Sequence, residues 1–242
     1  MARIGFEELD FQITPMGEIS LRRRHDPHLG VEVFEVKLND EYLMSSLFTV
    51  AEEELATLGL AAVSGDALDV LVGGLGLGCT AVTALADARV RSLTVVDALG
   101  EVVGWHERRL LPVSNTLLDD ERTRLVVDDF FDLARRERAD DAPRFHAILV
   151  DIDHTPTHRL DSTHADFYTA DGLRALARHL HPGGVFALWS DDPPEAEFLA
   201  LLGEVFPYVA GELVSFDNPI TGGVSTNSVY VARLQPRRRP SP

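Results

Sequence analysis

Along the first fifty residues polar and apolar positions alternate, as in Glu18-Ile19-Ser20-Leu21-Arg22 and Val31-Glu32-Val33-Phe34-Glu35-Val36. A period of two sends successive side chains to opposite faces of a strand. The turn-forming Asp26-Pro27-His28-Leu29-Gly30 lies between these stretches. The pattern from Phe11 to about Phe48 therefore predicts a β-hairpin, with Tyr42 to Ser46 as a further short strand after Asn39-Asp40. So small a sheet cannot stand alone, and it is expected to pack on the rest of the chain or on a second chain.

After Ala51 the pattern changes. Apolar runs at 68–72, 92–97, 124–127, 146–151 and 185–189 predict strands, and two more close the chain at 210–216 and 228–234. Between them, helices are predicted over 51–60, from the glycines through Ala88, over 101–111, over 168–180 and over 194–205; Pro112 ends one and Pro182-Gly183-Gly184 another. Nearly continuous apolar strands alternating with helices mean a sheet buried on both faces. The expected fold is α/β: a Rossmann-like, doubly wound, mostly parallel sheet with an antiparallel C-terminal strand, plus a small N-terminal β-domain. The boundaries read as 1–50 for the β-domain, 51–234 for the Rossmann-like domain, and 235–242 for a disordered tail.

Charge narrows the partners. The chain carries 22 basic and 39 acidic residues, a net −17. Nucleic-acid binding needs the opposite sign, and a cationic small molecule suits this surface better than a phosphorylated one. One cysteine, Cys79, excludes a disulfide scaffold and a cysteine-type zinc site. The one lysine, Lys37, lies in the alternating N-terminal region, which argues against a core Schiff-base lysine. No apolar run is long enough to span a bilayer, and the first residues lack an apolar leader segment, so a cytoplasmic protein with no membrane partner is expected.

The most informative segment is Val70-Leu71-Val72-Gly73-Gly74-Leu75-Gly76-Leu77-Gly78-Cys79. Glycines directly after a strand let the backbone turn tightly and approach a ligand, toward which the next helix points its free N–H groups. The dinucleotide spacing fails when counted from Gly74, since it ends on Cys79. Counted from Gly76 it is met at Ala81, but late relative to the strand. The tighter spacing of Gly74, Gly76 and Gly78 is that of S-adenosylmethionine sites. Three carboxylates follow three successive strands: Asp97, placed to accept ribose hydroxyls, Asp128 with Asp129, placed for the adenine amino group, and Asp151, nearest the reacting end.

With these residues in view, the chain resembles the spermidine synthase family, within the larger S-adenosylmethionine-dependent methyltransferase fold. The resemblance runs from the N-terminal β-region through the glycine turn, Asp97 with Glu101-Val102-Val103, Val127-Asp128-Asp129-Phe130-Phe131 and Ile148-Leu149-Val150-Asp151-Ile152-Asp153. It continues to Phe167-Tyr168, His181-Pro182-Gly183-Gly184-Val185-Phe186 and Asn227-Ser228-Val229-Tyr230-Val231-Ala232. It implies a cofactor site of Gly73, Gly74, Gly76, Gly78, Asp97, Asp128 and Asp129. It also implies that Asp151 orients or deprotonates an attacking amine, with Asp153 and His154 in the acceptor loop, and that two copies form a homodimer.

Two positions depart from the family. Its turn aspartate, which holds the amine of decarboxylated S-adenosylmethionine, is replaced by Gly76; its Tyr followed by Gln or His falls near Ala51-Glu52, where the aromatic is missing. Without the turn carboxylate, a cofactor that keeps its own carboxylate is not repelled. The expected activity is therefore methyl transfer from S-adenosylmethionine to a small, cationic acceptor. The alternatives are aminopropyl transfer from decarboxylated S-adenosylmethionine to a polyamine, and nucleoside binding without catalysis. No metal is expected, although Asp151 with Asp191-Asp192 matches the places where some O-methyltransferases hold Mg²⁺; the competing reading is that Asp191-Asp192-Pro193-Pro194 caps a helix.

Overall fold

A computed structural model of the chain describes residues 5–236. Residues 237–242, most of the expected tail, and residues 1–4 lie outside them. The alternating N-terminal pattern forms a four-stranded antiparallel sheet in the order β1 (Phe6–Thr14), β2 (Gly17–Asp26), β3 (Val31–Leu38) and β4 (Glu41–Ser45). It is longer than the hairpin expected from 11–48, because β1 begins at Phe6 and pairs with β2 through Arg24. Its buried face, Ile19, Leu21, Phe34 and Val36, joins the same apolar cluster as the helices beyond. Asp10 on β1 also accepts a hydrogen bond from Trp105 Nε1 at 2.7 Å and pairs with Arg108.

The remainder is a seven-stranded sheet in the order β10-β11-β9-β8-β5-β6-β7. The strands are β5 (Leu68–Gly73), β6 (Val90–Asp97), β7 (Thr123–Val127), β8 (Phe145–Val150), β9 (Leu180–Ser190), β10 (Tyr208–Asn218) and β11 (Gly223–Arg233). β5, β6, β7, β8 and β9 pair parallel, and β11 pairs antiparallel with β9. Val70, Leu71 and Val72 in the central strand are all fully buried, as a strand covered on both faces requires. The expected Rossmann-like, mostly parallel architecture with an N-terminal β-sheet is the one observed.

The helices are α1 (Val50–Ala61), α2 (Cys79–Ala86), α3 (Gly100–Glu107), α4 (Ser114–Asp119), α5 (Phe130–Arg135), α6 (Ala170–Ala177) and α7 (Ala196–Gly203). Four details differ from the sequence pattern. The helix expected over 168–180 is shorter, because Tyr168 ends a 3₁₀ turn (Ser162–Tyr168) and Thr169 caps α6 by accepting from the Gly172 N–H. The Pro182-Gly183-Gly184 stretch lies inside β9 rather than in a turn. α4 and α5 are too short to show a clear period. α7 starts after Glu195, so Asp191 and Asp192 do not cap it.

Candidate active site

In an open α/β sheet the crevice forms beyond the carboxyl ends of the strands where the order reverses. Here β5 stands between β8 and β6, and a cavity of about 740 Å³ opens beyond these strands. Met16 and Met44 from the N-terminal sheet cover it, and Phe216 and Asn227 of the C-terminal hairpin close one side.

The glycine turn forms the floor. Gly74, Gly76 and Gly78 line the cavity with φ of 94°, 46° and 88°, values that L side chains rarely adopt. A Cβ on Gly74 would stand 1.9 Å from the Asp151 carbonyl oxygen, so only glycine lets the turn lie against the end of β8. A Cβ on Gly76 would stand 2.8 Å from the Met44 sulfur. Met44 thus covers the place where a turn aspartate would grow. Gly73 does not line the cavity and packs against the Phe130 ring. His106 is buried and donates from Nε2 to the Gly76 carbonyl at 2.9 Å, while its Nδ1 lies 3.3 Å from Ser114 Oγ. Burial lowers its pKa, which keeps the imidazole neutral beneath the turn.

Asp97, at the end of β6, accepts from the backbone N–H of Leu75 and Leu99, both at 2.9 Å. Burial raises its pKa, and these backbone donors oppose the rise. Oδ2 also accepts from the Gly76 N–H at 3.5 Å, while Oδ1, with the Leu99 donor alone, keeps a lone pair for a ligand hydroxyl. Asp128 and Asp129 separate. Asp129 lines the cavity and caps α5, accepting from Phe131 N and Asp132 N at 2.7 and 3.1 Å. Asp128 turns away into a two-pronged pair with Arg136 at 2.8 and 2.9 Å, which lowers its pKa.

Asp151 meets a group that the sequence did not assign to the site. Glu52, on α1, lines the same cavity and is raised from 4.5 to about 8 by burial first, then by the negative charges of Asp151, Glu53 and Asp191. Burial likewise raises Asp151 to about 6, opposed by the Thr80 hydroxyl at 2.9 Å from Oδ2. The Thr80 hydroxyl also lies 3.2 Å from the Glu52 carbonyl oxygen, so it ties α1 to the end of β8. The two acids titrate as one system that holds a proton near neutral pH. Asp191 completes the rim, its Oδ1 accepting from Asn227 Nδ2 at 2.7 Å. Cys79 beside them is inert, its thiol pushed up to about 12 by burial and by the same acids.

The loop after β8 splits its candidates as well. Asp153 is buried below the cavity, where Leu160 N, His164 Nδ1 and Tyr168 Oη all lie within 2.9 Å of its oxygens. It holds the loop together, and His164 stacks on Phe131 at 3.8 Å between ring centroids. His154 does line the cavity, and its backbone carbonyl accepts from Asp191 N. The structure therefore brings together Gly74, Gly76, Gly78, Asp97, Asp129, Asp151 and His154, and sets Gly73, Asp128 and Asp153 around them as supports. Six carboxylates line the cavity (Glu52, Asp97, Asp129, Asp151, Asp161 and Asp191), with no lysine or arginine among the described lining residues. Such a lining favours cationic ligands and disfavours phosphate.

No protein-family model matches the chain. Among solved structures, it is similar to a spermidine synthase in complex with the transition-state analogue AdoDATO, with a TM-score of 0.72 and 20% identity over 93% of this chain and 73% of that one. The spermidine synthase from Thermotoga maritima matches with a TM-score of 0.71 and 19% identity over 93% and 72% of the two chains. Human methyltransferase-like protein 13 in complex with SAH matches with a TM-score of 0.56 and 18% identity over 79% and 85%. The chain thus has the fold shared by spermidine synthases and a methyltransferase-like protein.

Proposed function

We propose that the protein is a transferase that binds a sulfonium nucleoside of the S-adenosylmethionine type and passes its methyl group to a small amine. The observation that carries this reading is that Glu52 of α1 and Asp151 after β8 line one cavity with the glycine turn, tied together through the Thr80 hydroxyl; burial raises both carboxyls. An amine arrives as ammonium, and the charge on the pair attracts it. As the deprotonated nitrogen attacks the methyl carbon, the carbon–sulfur bond breaks. Its electron pair goes to sulfur, which becomes a neutral thioether; the carboxylate pair has taken the arriving ammonium's proton before the attack, and the methylated nitrogen leaves as an ammonium ion. The turn and Asp97 would hold the nucleoside so that nitrogen, carbon and sulfur lie in line.

Gly76 under Met44 favours the intact cofactor over its decarboxylated form, since no turn carboxylate is there to hold a propylamine. Aminopropyl transfer is the second reading. It is favoured by the six carboxylates of the lining, which suit a dication, and by the fold of the neighbouring spermidine synthases.

Calorimetric titration of each donor into the protein, followed by mass analysis of a diamine and polyamine panel, tests both. Tighter binding of S-adenosylmethionine with a methylated amine as product supports the first reading. Tighter binding of the decarboxylated donor with an aminopropylated product supports the second. Binding without any product would make the protein a nucleoside-binding module, and an Asp97→Ala variant that binds as well as the wild type would remove the site itself.

A further inference from the structure

A second group of chemistry-bearing side chains lies at the seam between the N-terminal sheet and the loop after β8. Glu41 opens β4, while His154 and His158 sit four residues apart in the loop. One carboxylate oxygen of Glu41 and one ring nitrogen of each histidine all lie within 4.8 Å of one another. The loop is folded to produce this. The Thr155 hydroxyl accepts from the backbone N–H of Thr157 and His158, and the Thr155 N–H donates to the His158 carbonyl. That tight turn lays the two imidazoles side by side, their centroids 4.8 Å apart.

Two further observations point to a ligand. His154 Nε2 is buried and has no hydrogen-bond partner among the described residues, a costly state for an imidazole nitrogen. Glu41, exposed at the start of β4, makes no ion pair with any described residue, which leaves its carboxylate free to take a ligand. Two imidazoles and one carboxylate form the donor set of an open zinc site, and these borderline donors select zinc, cobalt, nickel or copper over magnesium and calcium. On a tetrahedral zinc, ligand atoms stand about 3.4 Å apart. Glu41 and His158 are exposed, so rotation of their side chains supplies the remaining closure.

We propose that Glu41, His154 and His158 bind a divalent transition-metal ion of the zinc type, which fastens the loop after β8 to the N-terminal sheet. Because His154 also lines the main cavity, the ion would stiffen the cavity rim from outside and leave a fourth position open to water. The site does not depend on which group, if any, the protein transfers.

The test uses the untagged full chain stripped of metal by chelation. Titration with Co²⁺ should give one equivalent of bound ion with visible d–d absorption of a four- or five-coordinate site, displaced by Zn²⁺. His158→Ala and Glu41→Gln lie outside the main cavity and should each weaken binding at least about tenfold. Zn²⁺ at a hundredfold excess over its dissociation constant should raise the melting temperature by roughly 5 °C. The proposal is overturned if no Co²⁺ band forms, or if the band survives both substitutions. It is also overturned if the band is instead lost in His146→Ala, because Asp69, His146 and His181 form another cluster at the far end of the sheet.

Discussion

The two ends of the parallel sheet use the same residue type in opposite ways. At the amino ends of the strands, aspartates are matched with arginines. Asp87 pairs with Arg89 at 2.6 Å before β6, Asp120 pairs with Arg122 at 2.7 Å before β7, and Asp69 pairs with Arg91. The arginines also complete helix ends: Arg89 donates to the Leu60 carbonyl of α1 at 2.9 Å, and Arg122 to the Leu85 carbonyl of α2 at 3.0 Å. These partners lower the acids, Asp120 to about 2. At the carboxyl ends Asp128 still pairs with Arg136, but the cavity-lining Glu52, Asp97 and Asp151 have no basic partner among the described residues, and burial raises them. One end uses charge to fix helices against strands. The other leaves charge uncompensated, which is useful only if a cation arrives.

The sharpest way to break this comparison is Asp151→Asn. It keeps the shape and removes the base, so turnover should fall by about 10²–10⁴-fold while nucleoside binding persists; single-turnover assays and calorimetry on the same preparation would separate the two. Asp97→Ala should weaken nucleoside binding by about 30-fold or more, with only a small change in melting temperature.

Glu52→Gln sharpens the contrast through pH. Any change of rate near pH 8 that follows Glu52 ionisation should disappear, while the acidic limb, set by Asp151 near 6 where Glu52 is still protonated, stays in place. Stability should respond as well. In the folded chain Glu52 stays protonated to about 8, against an ordinary 4.5, so it costs stability increasingly as pH rises between those values. Glu52→Gln should therefore raise the melting temperature at pH 8 and leave it nearly unchanged at pH 4.5, as thermal unfolding at the two pH values would reveal.

At the opposite end, Arg89→Ala should destabilise the chain by about 1–2 kcal/mol through the lost carbonyl contacts, with turnover per folded molecule unaffected. Equal loss of activity in Arg89→Ala and Asp151→Asn would erase the distinction between the two ends.

Much of the frame was legible in the chain. The positions of the strands along the chain followed from apolar runs, and the glycine turn from residues 74, 76 and 78, because period and backbone freedom are local properties. The loops were less legible. Asp128 and Asp129 are adjacent and chemically alike, yet Arg136 at the far end of α5 draws the first away, while α5 uses the second as its cap. Asp153 and His154 are also adjacent, and they exchange the importance that a count of carboxylates would assign: the acid is buried as an anchor and the imidazole meets the cavity. Irregular backbone has no period, so neighbouring side chains carry no rule for which one points inward.

By itself, then, the sequence determined the α/β architecture, the glycine turn and the presence of Asp97 at a strand end, since each is written in consecutive residues. Only the tertiary structure decided that Glu52 from α1 would stand with Asp151 from the end of β8, and that Met44 would cover Gly76. The physical reason is that a carboxyl's proton affinity is set by the water it loses and the charges packed around it, and segments far apart in the chain supply both.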